Sequence, residues 1–295
     1  MLPLVSIICI CFNHEAFVQQ AINSILKQSY KNIELIVVDN GSSDNSYNII
    51  KEISEQNPDI KFLKLPKTIS ITKAFNKAFA LANGTYLIDL SADDVLLEGC
   101  IEKQVRFFSK QPENVGLIFG NAYHIDENGH RTTPYFEINT HNKVIDTSLF
   151  NTNYQKLLAG GLCMCSVSSM FTRKHFELLN RYNEELFFED LDYWLRLSRN
   201  YEIRFLDDFL VEKRFVEDSL GNQFYKKELF SKKINHSLRK IYLDSLDRNI
   251  NKHEHKALLK RVHNSMEQSF KNKHWIDFIK FSLIELKCRF YILFK

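Results

Sequence analysis

The first ninety residues alternate short apolar runs with helical patterns, and this alternation limits the fold more than any other feature. Val5–Cys11 and Ile33–Val38 are rich in β-branched residues, which is typical of strands that are buried on both faces. Ile60–Leu65 and Tyr86–Leu90 are predicted as two further strands. Strands that alternate with helices form a parallel sheet covered on both sides, so the sequence predicts a doubly wound α/β fold.

Local signals mark the ends of the predicted helices. Asn13 is a candidate N-cap for the helix that contains Phe17 to Leu26. A second helix is predicted over Tyr47–Ile53 and a third over Thr72–Ala82, with Asn83-Gly84 as a candidate left-handed cap. Three polar turns, at 11–14, 39–44 and 91–94, follow strands. They should therefore meet at one edge of the sheet.

Beyond residue 95 the pattern is less regular. Residues 124–160 are polar and loop-like, and from Tyr225 onward the sequence is helical, rich in Lys and without Pro or Gly. The other predicted elements are helices over Glu98–Ser109 and Leu186–Asn200, and strands over Val115–Tyr123, Ser166–Phe171, Ile203–Leu206 and Phe209–Phe215.

The six cysteines do not form a metal-binding pattern. Two pairs, Cys9/Cys11 and Cys163/Cys165, are spaced Cys-x-Cys, whereas zinc sites use Cys-x2-Cys pairs with a second half at a fixed distance. Cysteine in this spacing on a strand packs as a small hydrophobe. Buried free thiols, no secretory signal and no run of about 18 apolar residues predict a cytoplasmic protein without a membrane-spanning helix.

Ser91-Ala92-Asp93-Asp94 follows the fourth predicted strand. Two adjacent carboxylates repel each other, and a hard divalent cation compensates them because Mg²⁺ and Mn²⁺ prefer oxygen ligands. The alternative is a solvated turn whose acids begin a helix. The pair alone does not decide between these interpretations.

Three other residues are candidates for chemistry. Asp39 could accept hydrogen bonds from a base or ribose, or close an Asx-turn. Phe12 could stack on a base or belong to the core. Asp190 lies beside large apolar residues, where desolvation raises the pKa of a carboxyl group and suits a general base; the alternative is an acid favoured by a helix N-terminus.

Taken in order, these motifs resemble glycosyltransferase family 2, the inverting enzymes with the GT-A fold. The most specific stretch is 24–46, which contains Ser-Ile-Leu-x-Gln and Val-Val-Asp-x-Gly-Ser-x-Asp patterns. The resemblance covers residues 4 to about 215. Its other motifs are the opening strand with Phe12-Asn13, Asn76 with 82–86, Ser91 to Asp94, and Phe188 to Arg196.

The resemblance implies an architecture and a set of domains. The fold would be a GT-A, Rossmann-like α/β fold with a mostly parallel sheet flanked by helices and a C-terminal helical appendage. Residues 1–215 would form the catalytic domain, with a nucleotide-sugar half at about 1–95 and an acceptor half at about 96–215. Residues 216–295 would form a basic helical region.

The resemblance also implies a reaction typical of bacterial surface-polysaccharide synthesis. A sugar would move from a nucleotide-diphosphate donor, with UDP expected, to a hydroxyl of a glycan or lipid-linked acceptor. Asp94 would ligate Mn²⁺ or Mg²⁺, Asp93 would meet the ribose or the metal shell, Asp39 would hold the base with Phe12 against its face, and Asp190 would deprotonate the acceptor. One base suffices because the metal neutralises the leaving diphosphate.

The sequence departs from the family pattern at three places. Ser91 replaces the first Asp of the metal motif, and Val216 stands where the family often has His. No Arg precedes Asn76, so Lys67 or Lys73 is the candidate contact for the diphosphate.

Other protein classes fit less well. A dinucleotide-dependent oxidoreductase needs a Gly-rich first turn, which Cys11-Phe-Asn-His14 does not provide. An enzyme that synthesises nucleotide sugars also begins with a Gly-rich segment, and this chain lacks one. A catalytically inactive nucleotide-sugar-binding or scaffold protein of the same fold is the remaining alternative, and the presence of Asp39, Asp94 and Asp190 favours the enzyme.

The charge is unevenly distributed. Residues 226–295 carry 17 Lys and Arg against 7 Asp and Glu, whereas 1–225 carry 22 against 29. Trp275, Ile279, Leu283, Leu286, Phe290 and Leu293 can share one helical stripe. This stripe either packs on the catalytic domain or lies on an anionic membrane at the inner face of the cell, where a lipid-linked acceptor would be found. Nucleic acid is not expected as a partner.

Overall fold

The computed structural model describes residues 2–215 and 228–294. The first part repeats a strand and a helix, as the sequence predicts. β1 is wholly buried, which explains its continuous apolar sequence. The elements are β1 (Val5–Cys11), α1 (Val18–Leu26), β2 (Ile33–Asp39), α2 (Ser46–Gln56), β3 (Lys61–Lys64), α3 (Ile71–Phe79) and β4 (Tyr86–Ser91).

The remaining described chain completes the sheet and adds a helical region. Its strands are β5 (Val95–Leu96), β6 (Val115–Ile125), β7 (Arg131–Pro134), β8 (Met170–Thr172) and β9 (Glu202–Arg214). Its helices are α4 (Cys100–Phe108), α5 (Tyr154–Ala159), α6 (Arg173–Leu178), α7 (Asp190–Ser198), α8 (Glu228–Arg248), α9 (Lys252–Lys271) and α10 (Trp275–Phe294), with 3₁₀ turns at Thr147–Asn151 and Ser166–Ser168.

Within the described residues the strands form one sheet in the order β3-β2-β1-β4-β8-β6-β9-β5, with β7 beside β6. β3, β2, β1 and β4 are parallel, and so are β6 and β9. β8 runs antiparallel to both β4 and β6 and so joins the two parallel groups. The predicted α/β fold with a mostly parallel sheet, flanking helices and a C-terminal helical region is confirmed.

An aromatic cluster joins α3 to the second half of the sheet. Phe75 of α3 contacts Phe171 of β8 and Tyr182, with ring centroids 6.2 and 4.7 Å away. Phe176 and Tyr193 complete the cluster. These large buried rings hold the segment 176–193 against α3 and β8.

Two predicted helix caps are wrong. Asn13 has a left-handed φ of 56° and does not cap α1, because its Oδ1 accepts a hydrogen bond from Ser43 N. α3 ends at Phe79, and Gly84 has no positive φ. Glycine is required at 84 because a Cβ there would lie 2.5 Å from Ser6 N.

Three predicted elements also differ in extent. The two strands predicted at Ile203–Leu206 and Phe209–Phe215 are one strand, β9, which follows β6 through register shifts between Gly120 and Ala122. Ser166–Phe171 divides into a 3₁₀ turn and β8. The helix predicted from Leu186 begins only at Asp190. All six cysteines are free and buried, as predicted.

The C-terminal helices pack on the sheet domain through α9. Arg261 of α9 donates to the carbonyl oxygens of Leu157 and Leu158 at the end of α5, at 2.8 and 3.1 Å. Arg199, just after α7, makes two hydrogen bonds to Glu254 of α9, at 2.8 and 2.9 Å. α10 lies outside this layer and packs on α8 and α9.

The stripe predicted on the last helix does not face the catalytic domain. Its residues are 54–71% exposed, and the opposite face of α10, which includes Phe281 and Cys288, is buried. The interpretation in which the stripe packs on the catalytic domain is therefore wrong for the described chain. None of the described helices has the length and apolarity needed to cross a bilayer.

Candidate functional site

The three polar turns meet at the carboxyl edge of the parallel strands, as predicted. The turn after β2 joins the end of β1 through Asn40 N, which donates to Cys11 O at 2.8 Å. The turn after β4 joins β1 through Ala92 N, which donates to Ile10 O at 3.0 Å. Asn13 N donates to Ser42 Oγ at 3.0 Å.

Side chains of the first two turns cross-link them. Glu15 N donates to Asp44 Oδ2 at 2.9 Å, and Asn45 N donates to Glu15 Oε2 at 2.7 Å. His14 N donates to Ser46 Oγ at 3.0 Å. Asp44, although part of a recognisable motif, therefore holds the loops together and orients the residues between them.

Asp39 ends β2 and is paired with Cys11, the last residue of β1, and Phe12 follows Cys11 directly. Asp39 is buried, and its Oδ1 accepts a hydrogen bond from Ser42 N at 3.2 Å, so the Asx-type turn is present. Phe12 is 39% exposed. The alternative in which Phe12 belongs to the core is therefore wrong, and its ring is available to a ligand at this edge.

Asp93 and Asp94 occupy the turn after β4. Asp94 is buried, and its Oδ1 accepts a hydrogen bond from Arg214 N at 2.8 Å. Burial and the charge of Asp93 raise the pKa of Asp94 to about 7, and the ammonium of Lys213 opposes this rise. Asp93 Oδ1 accepts a hydrogen bond from Ser91 Oγ. Ser91, which replaces the family's first Asp, thus orients Asp93.

The donor set at this turn is small. In residues 2–215 and 228–294 no group of three or more His, Cys, Asp or Glu is placed to hold a metal ion. His14 Nδ1, however, is buried and makes no hydrogen bond to the described residues, and it lies 4.0 Å from Asp93 Oδ1. Because Mg²⁺ and Mn²⁺ bind through one or two carboxylates plus substrate phosphates and water, Asp93 and Asp94 fit such an ion.

Asp190 is the first residue of α7. Its Oδ1 accepts a hydrogen bond from Leu191 N at 2.6 Å. Burial raises the pKa of Asp190, and that of its neighbour Glu189 is raised well above its usual value by burial and by the charge of Asp190. Asp192, in contrast, pairs with Arg196 and is part of the helix structure. Asp190 therefore has the environment of a general base, whereas Asp192 does not.

Sequence analysis missed an acid in β4. Asp89 accepts a hydrogen bond from Tyr182 Oη at 3.1 Å. Burial and the charge of Asp190 raise the pKa of Asp89 to about 7. The signal for it was an acid inside the apolar run 86–90, where a side chain without a function is seldom charged. Asp89 thus connects the aromatic cluster to the acids of the site.

Two cations near these acids were also missed. Burial lowers the pKa of Lys213 in β9, but the carboxylates of Asp94, Asp93 and Asp190 outweigh that effect and leave the pKa raised. The charge of Arg261 in α9 lowers the pKa of Asp190. Lys213 adjoins a family motif and could have been suspected, whereas no sequence signal connects Arg261 with residues far earlier in the chain.

Arg214, two residues before Val216, holds the turn after β4 in place through hydrogen bonds. It is buried, and its Nε donates to Asp93 O at 2.9 Å while Nη2 donates to Gln20 Oε1 at 2.7 Å. Its guanidinium lies over the ring of Phe17. Val216 lies outside the described residues. Lys67 and Lys73 are both exposed, and their contact with a diphosphate stays a prediction.

Comparison with known proteins places the chain among glycosyltransferases. The sequence model described as Glycosyl transferase family 2 matches residues 6–179. An uncharacterized glycosyltransferase of Methanocaldococcus jannaschii is 27% identical over 78% of this chain and 77% of its own length. One of Rickettsia conorii is 32% identical over 72% of this chain, and the match spans 34% of that relative.

Solved structures share the fold. TarS of S. aureus in complex with UDP-GlcNAc is 16% identical, with a TM-score of 0.65 over 91% of this chain and 73% of that one. The mannosyltransferase PcManGT from Pyrobaculum calidifontis, in complex with GDP-Man and Mn²⁺, is 14% identical, with a TM-score of 0.62 over 96% of this chain and 74% of that one. At these identities the likeness extends to the fold.

Proposed function

The chain belongs to glycosyl transferase family 2 and is a glycosyltransferase, and from this premise we propose that it is a metal-dependent, inverting enzyme with a UDP-sugar donor. The sugar moves to a hydroxyl group of an acceptor in cell-surface polysaccharide or glycoconjugate synthesis. The observation that carries this proposal is that Asp39, Asp93 and Asp94 lie at one edge of the sheet. Asp190 is near enough to Lys213 for its charge to raise the pKa of that lysine.

The donor nucleotide is assigned to the ends of β1 and β2. Asp39 offers a buried carboxylate for the base, and the half-exposed ring of Phe12 offers a stacking surface. The bound donors of the two structural neighbours, UDP-GlcNAc and GDP-Man, support a nucleotide-sugar ligand for this fold. The choice of UDP follows the family resemblance.

The metal is assigned to Asp94, with Asp93 in the ribose or metal shell. The Mn²⁺ in the PcManGT structure supports a divalent metal for this fold, and the choice of Asp94 follows the family resemblance. When bound, Mn²⁺ or Mg²⁺ supplies the positive charge that stabilises the leaving diphosphate. The protein holds Asp94 in place through the backbone N–H of Arg214 and holds the turn through the Arg214 side chain. His14 Nδ1 is near enough to bind a water or phosphate oxygen beside Asp93.

The base is assigned to Asp190. Inversion at the anomeric carbon needs a single carboxylate that removes the proton from the acceptor hydroxyl as it attacks. The hydrogen bond from Leu191 N fixes one oxygen of Asp190 and leaves the other for the acceptor. Burial raises the pKa of Asp190, and Lys213 and Arg261 oppose that rise because their positive charges favour the ionised carboxylate.

The acceptor is proposed to be a glycan or a lipid-linked sugar. The reaction then takes place in the cytoplasm at the inner face of the cell membrane, with the basic region 226–295 as the part in peripheral contact. The Rickettsia relatives are about three times as long as the segment that matches this chain. The partners proposed here therefore concern this chain and not those longer proteins.

Donor binding is tested by thermal unfolding with a panel of UDP- and GDP-sugars, in Mn²⁺ and in chelator. A UDP-sugar with Mn²⁺ should raise the melting temperature, with about 2.7 kcal/mol of stabilisation when the ligand is at about 100 times its Kd. Chelator or the variant Asp94→Asn should remove the effect, because Asn still accepts from Arg214 N but lacks the charge.

The matched control is Asp59→Asn, which changes an exposed acid before β3, at the opposite end of that strand from the edge with Asp39. It should shift the melting temperature with ligand as the wild type does. If no nucleotide sugar stabilises the protein, the proposed donor class is wrong. If a UDP-sugar binds equally well in chelator and to Asp94→Asn, the metal assignment is wrong.

A further inference from the structure

α10 is apolar on two opposite sides, and the fold uses only one of them. Phe281, Ile284 and Cys288 are buried against α8 and α9. The other side carries an exposed row at the alternating three- and four-residue spacing of one helix face. Its members are Ile276, Ile279, Leu283, Leu286, Phe290 and Leu293, which are 55–71% exposed, with Trp275 and Phe294 beside the two ends. We call these eight residues the outer face of α10.

The acids of α10 fix which side faces outward. Asp277 is buried, accepts a hydrogen bond from Asn235 Nδ2 at 2.9 Å and pairs with Arg239 of α8. Glu285 is buried and lies 3.3 Å from His263 Nδ1 of α9. Because both carboxylates are bound by neighbouring helices, α10 cannot turn its apolar row inward without leaving buried charges unpaired.

The charged residues that border the outer face are all basic. Lys280 and Lys287 lie along one side of the row and Arg289 along the other, and all three are exposed. Arg289 pairs with the buried Glu285 of the same helix, so its charge is largely compensated and the lysines supply the free positive charge. Lys271 and Lys273 precede the helix and are also exposed. Within the described part of α10 no acid is exposed. A partner that covers this face therefore has to be apolar at its centre and negative at its edges.

A second copy of the chain does not meet that requirement. Two outer faces packed together would bring the lysines that border the row, Lys280 and Lys287, near those of the other copy, and like charges at an interface destabilise it. An anionic lipid surface meets it, since large apolar side chains enter the boundary of headgroups and acyl chains while basic side chains reach the headgroups.

We propose that the outer face of α10 binds the surface of an anionic membrane, with the helix lying in the plane of the interface. A helix of 20 residues is about 30 Å long, so the whole row can be in contact at once. α9 packs between α10 and α5, and its Arg261 donates a hydrogen bond to the end of α5 and is near enough to Asp190 to lower the pKa of that acid. A docked α10 would therefore hold the catalytic domain at a fixed distance from the lipid. The inference rests on the peripheral membrane contact proposed for 226–295, which it assigns to one face of one helix, and it depends on no step of the glycosyl transfer.

Vesicle co-sedimentation of the full chain tests the proposal. Vesicles of phosphatidylcholine with an equal part of phosphatidylglycerol should bind the protein, and vesicles of phosphatidylcholine alone should bind it much more weakly. The charge variant Lys280→Gln/Lys287→Gln should lower the partition coefficient about 5-fold per lysine, which corresponds to about 1 kcal/mol each. Added salt should weaken the binding.

The variant Leu283→Glu/Leu286→Glu should lose binding, because it places two acids at the centre of the row. Its matched control is Leu178→Glu, which changes an equally exposed leucine on α6, at 60% exposure, and should bind as the wild type does. The replaced side chains are exposed in all these variants, so circular dichroism should remain unchanged.

Equal binding to neutral and anionic vesicles, or wild-type binding by Leu283→Glu/Leu286→Glu, would overturn the proposal. So would a stable dimer in solution that Leu283→Glu/Leu286→Glu converts to monomer, because the row would then be covered by a second copy. Donor binding by the same samples, measured by thermal unfolding, separates a failure of this proposal from a failure of the proposed function.

Discussion

At the scale of single residues, Lys213 is the cation that the acids of the site share. Asp94, Asp93 and Asp190 all raise its pKa, and it in turn lowers the pKa of Asp94 and Asp190. A lysine in such surroundings is not a surface charge that salt screens. Its charge lowers the pKa of Asp94 and of Asp190 and so favours the ionised form of both carboxylates.

Replacement of Lys213 by Met should therefore change the pH dependence of the reaction. Without the ammonium the pKa of Asp190 rises further, so the acidic limb of the kcat profile moves to higher pH and the rate at neutral pH falls. Lys213→Arg should keep the limb near its wild-type position. The measurement is the pH–rate profile with saturating donor.

Lys103→Met is the control for this change. Lys103 pairs with Asp208 at 3.0 Å, but both side chains are about 40% exposed, and such pairs contribute little. This variant should keep the wild-type profile. If Lys213→Met also keeps it, Lys213 does not act on the base.

The same scale shows what the sequence could reveal. Asp39 and Asp94 follow strands within family motifs, so their meeting at one edge was predictable from strand order. Asp190 opens a helix, and only the family resemblance assigned it to the site. Lys213 could be suspected from its place beside a motif, but its contact with the acids depends on β9 pairing with β6. Arg261 could not be predicted, because its role depends on α9 packing against α5. Charge compensation between distant segments leaves no local pattern.

At the scale of elements, the turn between α3 and β4 lies so close to β1 that only glycine fits at position 84. Gly84 N donates to Ser6 Oγ at 2.7 Å and to Glu34 Oε1 at 2.9 Å. Lys61 Nζ lies 2.7 Å from the other oxygen of Glu34. This one carboxylate thus joins β1, β2, β3 and the turn before β4, which fixes the start of the strand that carries Asp93 and Asp94 at its far end.

Gly84→Ala should destabilise this junction by about 1–3 kcal/mol, because the added Cβ meets backbone and a bonded hydroxyl of Ser6 rather than a movable side chain. Gly116→Ala is the matched control, since its Cβ would meet the tip of Leu197, which can move. The measurement is the urea midpoint of unfolding for both variants. An equal or larger loss for Gly116→Ala would contradict the explanation.

The strands differ in how well the sequence predicted them. β1, β2, β3 and β4 are short apolar runs within a repeating pattern, and all four are confirmed to within a residue or two at their ends. β9 was divided in the prediction because Asp207-Asp208 is typical of a turn. In the structure Asp207 accepts a hydrogen bond from Val144 N at 3.2 Å, so a distant loop supports an acid within a continuous strand.

At the scale of the whole molecule, the C-terminal helices are packed against the sheet domain. The pair of Arg199 and Glu254 and the hydrogen bonds from Arg261 join α9 to α7 and α5. α7 begins with Asp190, so the packing of α9 also fixes the proposed base. The division at 215/216 remains a prediction, and these contacts show that the two parts depend on each other for their arrangement.

The rate of nucleoside diphosphate release by Asp190→Asn tests the central claim most directly. The amide side chain of this variant would keep an oxygen that accepts from Leu191 N, so the fold and the donor affinity should persist. With Mn²⁺ and the donor selected by thermal unfolding, we expect release by the wild type and by Asp59→Asn, and a rate about 10²–10⁴ lower for Asp190→Asn. A wild-type rate in Asp190→Asn, or no release from any nucleotide sugar by the wild type, would contradict the account.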